Sequence, residues 1–279
     1  MFLTSGKKFV KFKNIVSECI MLLISLFIIV PYLMVILGSF KSLKEASEMT
    51  LKLPTKWYIL ENYSQVFLEG NILVGFRNSI VNVAAVVLLT VLLTSITAFI
   101  LQRRNDKLSK ILIVIFSLGI IMSTNIVTVV LLMKRLHLKN ILGVILVETA
   151  SKIGFCSLLY IKYISGISRE IDESAHIEGC GPVKLFFSII FPLLKPMTAT
   201  VVIFSAMTVW NNFATPLYLL NDSRFYTIGL SLYYFIGEFG SNMWNLIFAS
   251  IVIVSAPIMI IYLFMQQQII AGLTKGAIK

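Results

Sequence analysis

The chain has 279 residues, of which 58% are hydrophobic and 13% charged, with a formal net charge of +11. Soluble domains carry about 25% charged residues, so this composition excludes a water-soluble fold, along with disorder, a collagen-like chain and a disulfide scaffold. The three cysteines, Cys19, Cys156 and Cys180, lack metal-ligand spacing, and no metal site is expected.

A helix needs about 20 apolar residues to cross the hydrocarbon. Six segments meet that requirement: 19–40, 78–101, 111–133, 140–161, 196–221 and 243–265. The first follows Lys7, Lys8, Lys11 and Lys13, as a signal peptide would. Its apolar stretch is too long for one and no small-residue cleavage site follows, so it reads as a retained helix, bent at Pro31. Lipid requires each span to satisfy its own backbone. The predicted fold is therefore an all-α integral membrane protein with six transmembrane helices. With both termini cytoplasmic, fourteen Lys and Arg lie inside and nine outside, although Lys134, Arg135 and Lys139 sit in a short outer loop. The outer loop 41–77 is expected to hold turns at Leu53-Pro54 and a short interfacial helix around Glu61-Asn62-Tyr63.

The loop 162–195, between the fourth and fifth spans, is predicted to be a cytoplasmic helix-turn-helix. Ser168 suits an N-cap, and Glu170, Asp172 and Glu173 then fall in the positive first turns. Ile167, Ile171 and Ala175 recur at a spacing of four and share one face. Gly179 suits a left-handed C-terminal cap, and Gly181-Pro182 opens a second helix over 183–190, with Pro192 and Pro196 beyond it. Two readings fit this pattern: a handle for a cytoplasmic partner, or an amphipathic linker lying on the membrane.

The spacing of Glu173, Ser174, Ala175, Gly179, Ile189 and Pro192 resembles the "EAA" signature of permease subunits in binding-protein-dependent ABC importers. That signature is Glu-Ala-Ala, a glycine after three residues, nine more residues, then Ile-x-Leu-Pro. Here Ser174 replaces an Ala and Phe191 the Leu. Trp210-Asn211-Asn212-Phe213 with Pro216, Met243-Trp244-Asn245 and Ala256-Pro257 are similar to later stretches of the sugar-importing members. The ending Gln267-Gln268 through Gly272, Gly276 and Lys279 resembles that of the maltose-type carbohydrate importers, with Gln268 in place of Arg. Ser168 and Gly154 stand where those members often have proline.

The resemblance implies one of two unequal membrane subunits, working with two cytoplasmic ATPases and an extracellular solute-binding protein. It implies that Glu173 to Gly179 dock on an ATPase, Glu173 meeting a basic group and Gly179 setting the bend. The tail at Gly272, Gly276 and Lys279 would reach toward the ATPase pair. ATP and Mg would be bound by those partners and by nothing in this chain, which has no phosphate-binding loop and no His-Glu-x-x-His or Gly-x-Ser-x-Gly. No enzyme activity of its own is expected.

Glu148 and Lys152 lie one helical turn apart inside the fourth span. Charges there face a cavity or a partner, so the pair is either part of the translocation path or a packed ion pair. Trp210, Asn211 and Asn212, with Phe213, Tyr218, Tyr226, Tyr233 and Tyr234, suit the faces and hydroxyls of a sugar, or equally an interfacial aromatic belt. Asn125, after Ser123 and Thr124, reads as a helix–helix hydrogen bond. His176 reads as solvated or partner-facing, and His137 suggests no site. The reading that fits best is a permease subunit of an ATP-driven importer of a sugar or oligosaccharide in the cell membrane. A gradient-driven secondary transporter, or half of one, is the alternative.

Overall fold

The computed structural model describes residues 4–104, 106–121, 125–231, 235 and 243–277, with side chains described between residues 16 and 263, residue 261 apart. Among the described residues all regular structure is helical. Each helix closes its backbone hydrogen bonds within itself, as a lipid environment demands. The chain divides into two compact units, 1–71 with 232–255 and 72–231 with 256–279. The final helix runs from Trp244 to Ala277, so the division falls inside it.

In the first unit, α1 (Thr4–Gly38) continues without interruption through Pro31. Every side chain from Val16 to Leu33 is exposed, and Val16–Gly38 is long and apolar enough to span a membrane. Two short helices follow, α2 (Leu43–Ser47) and α3 (Ile59–Glu69). The Ser42 hydroxyl caps α2 by accepting the Glu45 N–H at 3.4 Å. Asn62 on α3 is buried and ties the loop to the end of α1. Its amide donates to the Ser39 and Lys41 carbonyls, both at 2.9 Å. Its oxygen accepts from Asn245 at 2.8 Å. Lys41 is also buried, with Nζ donating to the Thr50 carbonyl at 2.7 Å.

The second unit holds α4 (Ile72–Arg104), α5 (Lys107–Ile121), α6 (Ile126–Arg135), α7 (Ile141–Ile164), α8 (Glu170–Ile177), α9 (Pro182–Leu193), α10 (Lys195–Trp210), α11 (Ala214–Leu219) and α12 (Ile228–Ser231). α4 and α7 are each long and apolar enough to span. α9 and α10 pass that test only together and meet at a 79° bend. The bend follows Pro192, which has no N–H to give and whose ring would clash with the carbonyl four residues back in a regular α-helix. Over Leu185–Ile190 the helix widens to a π-turn, and the Phe191 N–H reaches back to Phe186.

The expected third and fifth segments are not single helices. The third is divided into α5 and α6, and Ser123 and Thr124 lie outside the described residues. Asn125 does not bridge helices: its side chain accepts the Val127 N–H at 2.9 Å and caps α6. The fifth ends at Trp210, and α11 restarts at Ala214. Pro216 accounts for this break, since a continuous helix would need the N–H it lacks and would clash at the Asn212 carbonyl. Asp106 caps α5 by accepting the Ser109 N–H at 2.8 Å, and bonds from Ser109 hold its carboxyl below the usual range.

α4 packs on α7 and α10 with an inverted amphipathicity. Most of its buried positions are small or polar: Gly75, Ser79, Asn82, Thr90, Thr94, Ser95 and Ala98, beside Ile72, Val86, Val91 and Leu101. Leu73, Ile80, Val81 and Leu88 point outward. α7 answers with buried Glu148, Thr149, Lys152 and Ser157. Small residues let helix backbones approach where lipid gives no hydrophobic drive to pack. At Gly154, for example, a Cβ would stand 2.9 Å from the Phe116 carbonyl of α5.

Asn62→Ala should leave two carbonyls at the end of α1 without their donor, at a cost of about 1–3 kcal/mol. Thermal unfolding of the purified chain in detergent should then occur about 2–8 °C lower. Ser64→Ala, at an exposed hydroxyl on the same helix, should leave the transition in place.

Candidate functional site

The loop between α7 and α10 is built around one glycine. Gly179 has φ +77°, the left-handed region that costs an L-residue about 1–2 kcal/mol. Around it the Cys180 N–H donates to Ala175 at 2.9 Å and the Gly179 N–H to His176 at 3.0 Å. These two bonds form the Schellman arrangement that closes a helix C-terminus. Gly181 and Pro182 then start α9, with proline at its first position. At the other end of α8 the Ser168 hydroxyl accepts the Glu170 N–H at 3.3 Å, and Glu170, Asp172 and Glu173 occupy the first turn.

One face of α8 is packed. Ala175 is buried with Ile164, Leu185, Phe186 and Ile190, and Ile167 and Ile171 lie against the same cluster. The opposite face is open: Glu173, Ser174, His176 and Ile177 are exposed, and Ile177 retains 88% of its accessible surface. Val183 and Phe187 of α9 are exposed as well. Ile189 is half-buried and Pro192 exposed. The loop therefore presents acidic, hydroxyl and apolar groups on a surface fixed from behind.

Asp172 is the one acid of α8 turned inward. Its carboxylate pairs with Arg103 at the end of α4, Nε to Oδ2 at 2.6 Å, with both side chains about 15% exposed. The Arg103 fork also donates to the Ile167 carbonyl at 3.3 and 3.4 Å and to Asp172 Oδ1 at 3.3 Å. Arg169 returns a bond to the Gln102 carbonyl at 3.4 Å.

A second polar cluster lies inside the unit. Glu148 and Lys152 are buried, but they do not form the side-chain pair that their spacing suggests. Lys152 Nζ donates to the Glu148 backbone carbonyl at 2.9 Å. The Glu148 carboxylate instead accepts from Asn212 at 3.2 Å and from Asn82 at 3.5 Å. Asn212 in turn caps α11: its oxygen accepts the Thr215 N–H at 3.2 Å, and its amide reaches the Thr215 hydroxyl at 2.9 Å. Asn82 Oδ1 and, on the residue after Glu148, Thr149 Oγ1 are buried without a partner.

The Trp210 ring lies 5.9 Å from that of Phe76, tilted at 52°. Asn211 is exposed and its amide bonds back to the Met207 carbonyl, so it does not join the cluster. Tyr218 is exposed and Tyr226 half-buried, while Tyr233 and Tyr234 lie outside the described residues. Gly272 and Gly276 continue the last helix, and Lys279 lies outside the described residues.

The sequence model of the binding-protein-dependent transport system inner membrane components matches residues 90–275. The chain belongs to this family. Its members are membrane components of transport systems and not catalytic enzymes, which supports the expectation of an importer permease over a gradient-driven carrier. The permease is 32% identical to the multiple sugar-binding transport system permease protein MsmG of Streptococcus mutans, over 90% of this chain and 92% of that one. It is 28% identical to the probable starch degradation products transport system permease protein AmyC of Thermoanaerobacterium thermosulfurigenes, over 92% and 94%. In three dimensions it resembles a chain of a bacterial ABC transporter involved in the import of the acidic polysaccharide alginate. The TM-score is 0.81 at 19% identity, covering 92% of this chain and 96% of that one. This last likeness is one of fold.

Several of the permease's functional candidates are invisible to local reading. Asn82 and Arg103 sit 66 and 69 positions from the partners they meet, so no short-range spacing marks them. The available signal was general: an amide within an apolar run, and an arginine at a helix end.

Gly179→Val should strain the turn by about 1–2 kcal/mol or more, because nothing crowds a Cβ there and the conformation alone is penalised. Gly179→Asn should be milder, since asparagine tolerates this region. Protease sensitivity of the 178–182 turn in purified protein should rise in the order glycine, asparagine, valine.

Proposed function

We propose that residues 1–279 form a single transmembrane domain, one of two unequal membrane subunits of an ATP-driven importer for a sugar or oligosaccharide. The observation that carries this reading is the family match across residues 90–275, which includes the whole Glu173–Pro192 loop. The names of the relatives, concerned with starch degradation products and multiple sugars, favour carbohydrate as the solute class.

In this reading the six apolar segments each cross the membrane, some as broken helices, and both termini are cytoplasmic. The loop 162–195 is the cytoplasmic helix-turn-helix that enters a cleft on one ATPase. Glu173 meets a basic group of that partner beside the exposed Ser174, and buried Ala175 lets α8 lie close against the core behind it. Gly179 fixes the turn, and Ile189 and Pro192 hold the second helix behind it. Gly272, Gly276 and Lys279 reach toward the ATPase pair. ATP and Mg are bound by those subunits, and an extracellular binding protein delivers the solute. ATP favours the closed ATPase pair, and that differential affinity shifts the membrane subunits between inward-open and outward-open states. Glu148, Lys152 and Asn212 contribute polar groups to the path, with Trp210 and Asn211 at its margin. The buried Thr149 hydroxyl next to Glu148 in the chain and the Asn82 oxygen, both without partners, support this assignment, since polar atoms in a membrane interior are left unpaired only at a cost.

The chain purified from its native membranes should bring with it a second permease and an ATPase. Their joint absence would overturn the reading. In proteoliposomes of that complex supplied with binding protein, a panel of labelled mono- and oligosaccharides should identify the solute by ATP-dependent uptake. Glu148→Ala should lower uptake while ATPase subunits still co-purify, and normal uptake by that variant would remove Glu148 from the path.

A further inference from the structure

α4 is about 50 Å long at 1.5 Å per residue, and it is hydrogen-bonded to other segments in its first third and at its end. At its start Asn78 donates to the Arg224 and Tyr226 carbonyls at 2.8 and 3.0 Å, and the Ser79 hydroxyl accepts the Ile228 N–H at 2.8 Å. One turn further Asn82 reaches Glu148. At its end Arg103 and the Gln102 carbonyl meet Ile167, Arg169 and Asp172. No other helix among the described residues reaches both the acidic loop and the polar cluster by side-chain hydrogen bonds of this kind.

The contacts that hold the inward side of α8 differ in character. Ile167, Ile171 and Ala175 make apolar contacts, which hold the helix against the core without fixing its orientation. The Arg103 guanidinium is a planar fork that engages a carboxylate and a backbone carbonyl together, so it fixes both distance and angle. It is also partly shielded from water, where such a pair is screened less by salt.

We propose that the Arg103–Asp172 pair is a positioning clasp that transmits displacement of α8 along α4 to the Glu148 cluster. The inference rests on the reading of α8 as the ATPase-docking helix. Neither residue touches solute or nucleotide. Their part is to make α8 and α4 move as one body, so that closure of the ATPases is passed into the membrane and not absorbed by sliding across the apolar contact.

The test uses the whole complex in proteoliposomes, with ATP hydrolysis and labelled-sugar uptake measured on the same vesicles. Arg103→Asp and Asp172→Arg should each retain co-purifying ATPase and continue to hydrolyse ATP, while uptake per ATP falls about tenfold, the scale of a typical coupling free energy. The double variant with the two charges exchanged should recover uptake per ATP to within about twofold of the parent, a coupling that independent sites would not show. A merely structural role would lower the amount of complex and leave uptake per ATP unchanged. If Arg103→Asp fails to assemble, Asp172→Asn carries the same measurement. The proposal is overturned if the single variants keep the parental ratio, or if the exchanged pair is as impaired as either single. Failure of the parent complex to contain an ATPase would instead overturn the docking reading on which the clasp rests.

Discussion

The controlling constraint is the absence of water around most of the chain. In lipid a backbone polar group has no solvent to turn to, so a spanning segment must be a helix or part of a closed barrel, and this chain takes the helix. Lipid also removes the hydrophobic reward for packing one apolar helix against another. What remains is close approach at small residues and hydrogen bonds between polar ones. α4 shows the result directly: serine, threonine, asparagine and glycine make up most of its interior face, and Leu73, Ile80, Val81 and Leu88 face out. Thr94 and Ser95 satisfy their hydroxyls within the helix, each on a carbonyl one turn back at 2.6 Å. Asn82 and Glu148 find theirs across helices.

The same constraint determines what could be read from the chain alone. Long apolar runs are legible because a spanning helix needs nothing but length and apolarity: 78–101 falls within a long helix, and 19–40 and 140–161 do so but for one or two end residues. Helix breaks are less legible. The interruption before Ala214 depends on Pro216 and on the Asn212 cap, and a hydropathy window averages both away. Asn125 was legible as a polar residue in an apolar run, yet the same side chain serves as a cap or as a bridge, and only the backbone around it decides. In α4 the inward face is hard to see in sequence because Val and Leu alternate with Thr and Ser without a strong polar stripe.

The loop from 168 to 192 is the opposite case. It is rich in local signals, each tied to backbone geometry: a hydroxyl at the start, acids in the first turn, glycine at the cap, proline at the restart. All four features appear at those positions, and the positive φ at Gly179 is the conformation its cap requires. Ala175 and Ile171 were legible as one face because α8 has ordinary amphipathicity, one side packed and the other exposed. Asp172 was legible as an N-terminal acid, but its stronger partner, Arg103, lies in a different helix and was not.

The polar cluster joins these points. A buried carboxylate without compensation is expensive, and the usual remedy is an opposite charge. Here the cation one turn away bonds to backbone, and two amides satisfy the carboxylate instead. One of those amides, Asn212, is the residue that caps α11 after the break, so the carboxylate is held at the place where the fifth segment is interrupted. Exchanging such a group for a well-packed apolar one often costs little stability, because the desolvation it suffers offsets most of what its bonds return. The value of Glu148 is therefore positional. It ties α4, α7 and the broken segment at one point, and an interruption in a membrane helix is tolerated where it is buried in protein or lines a water-filled cavity.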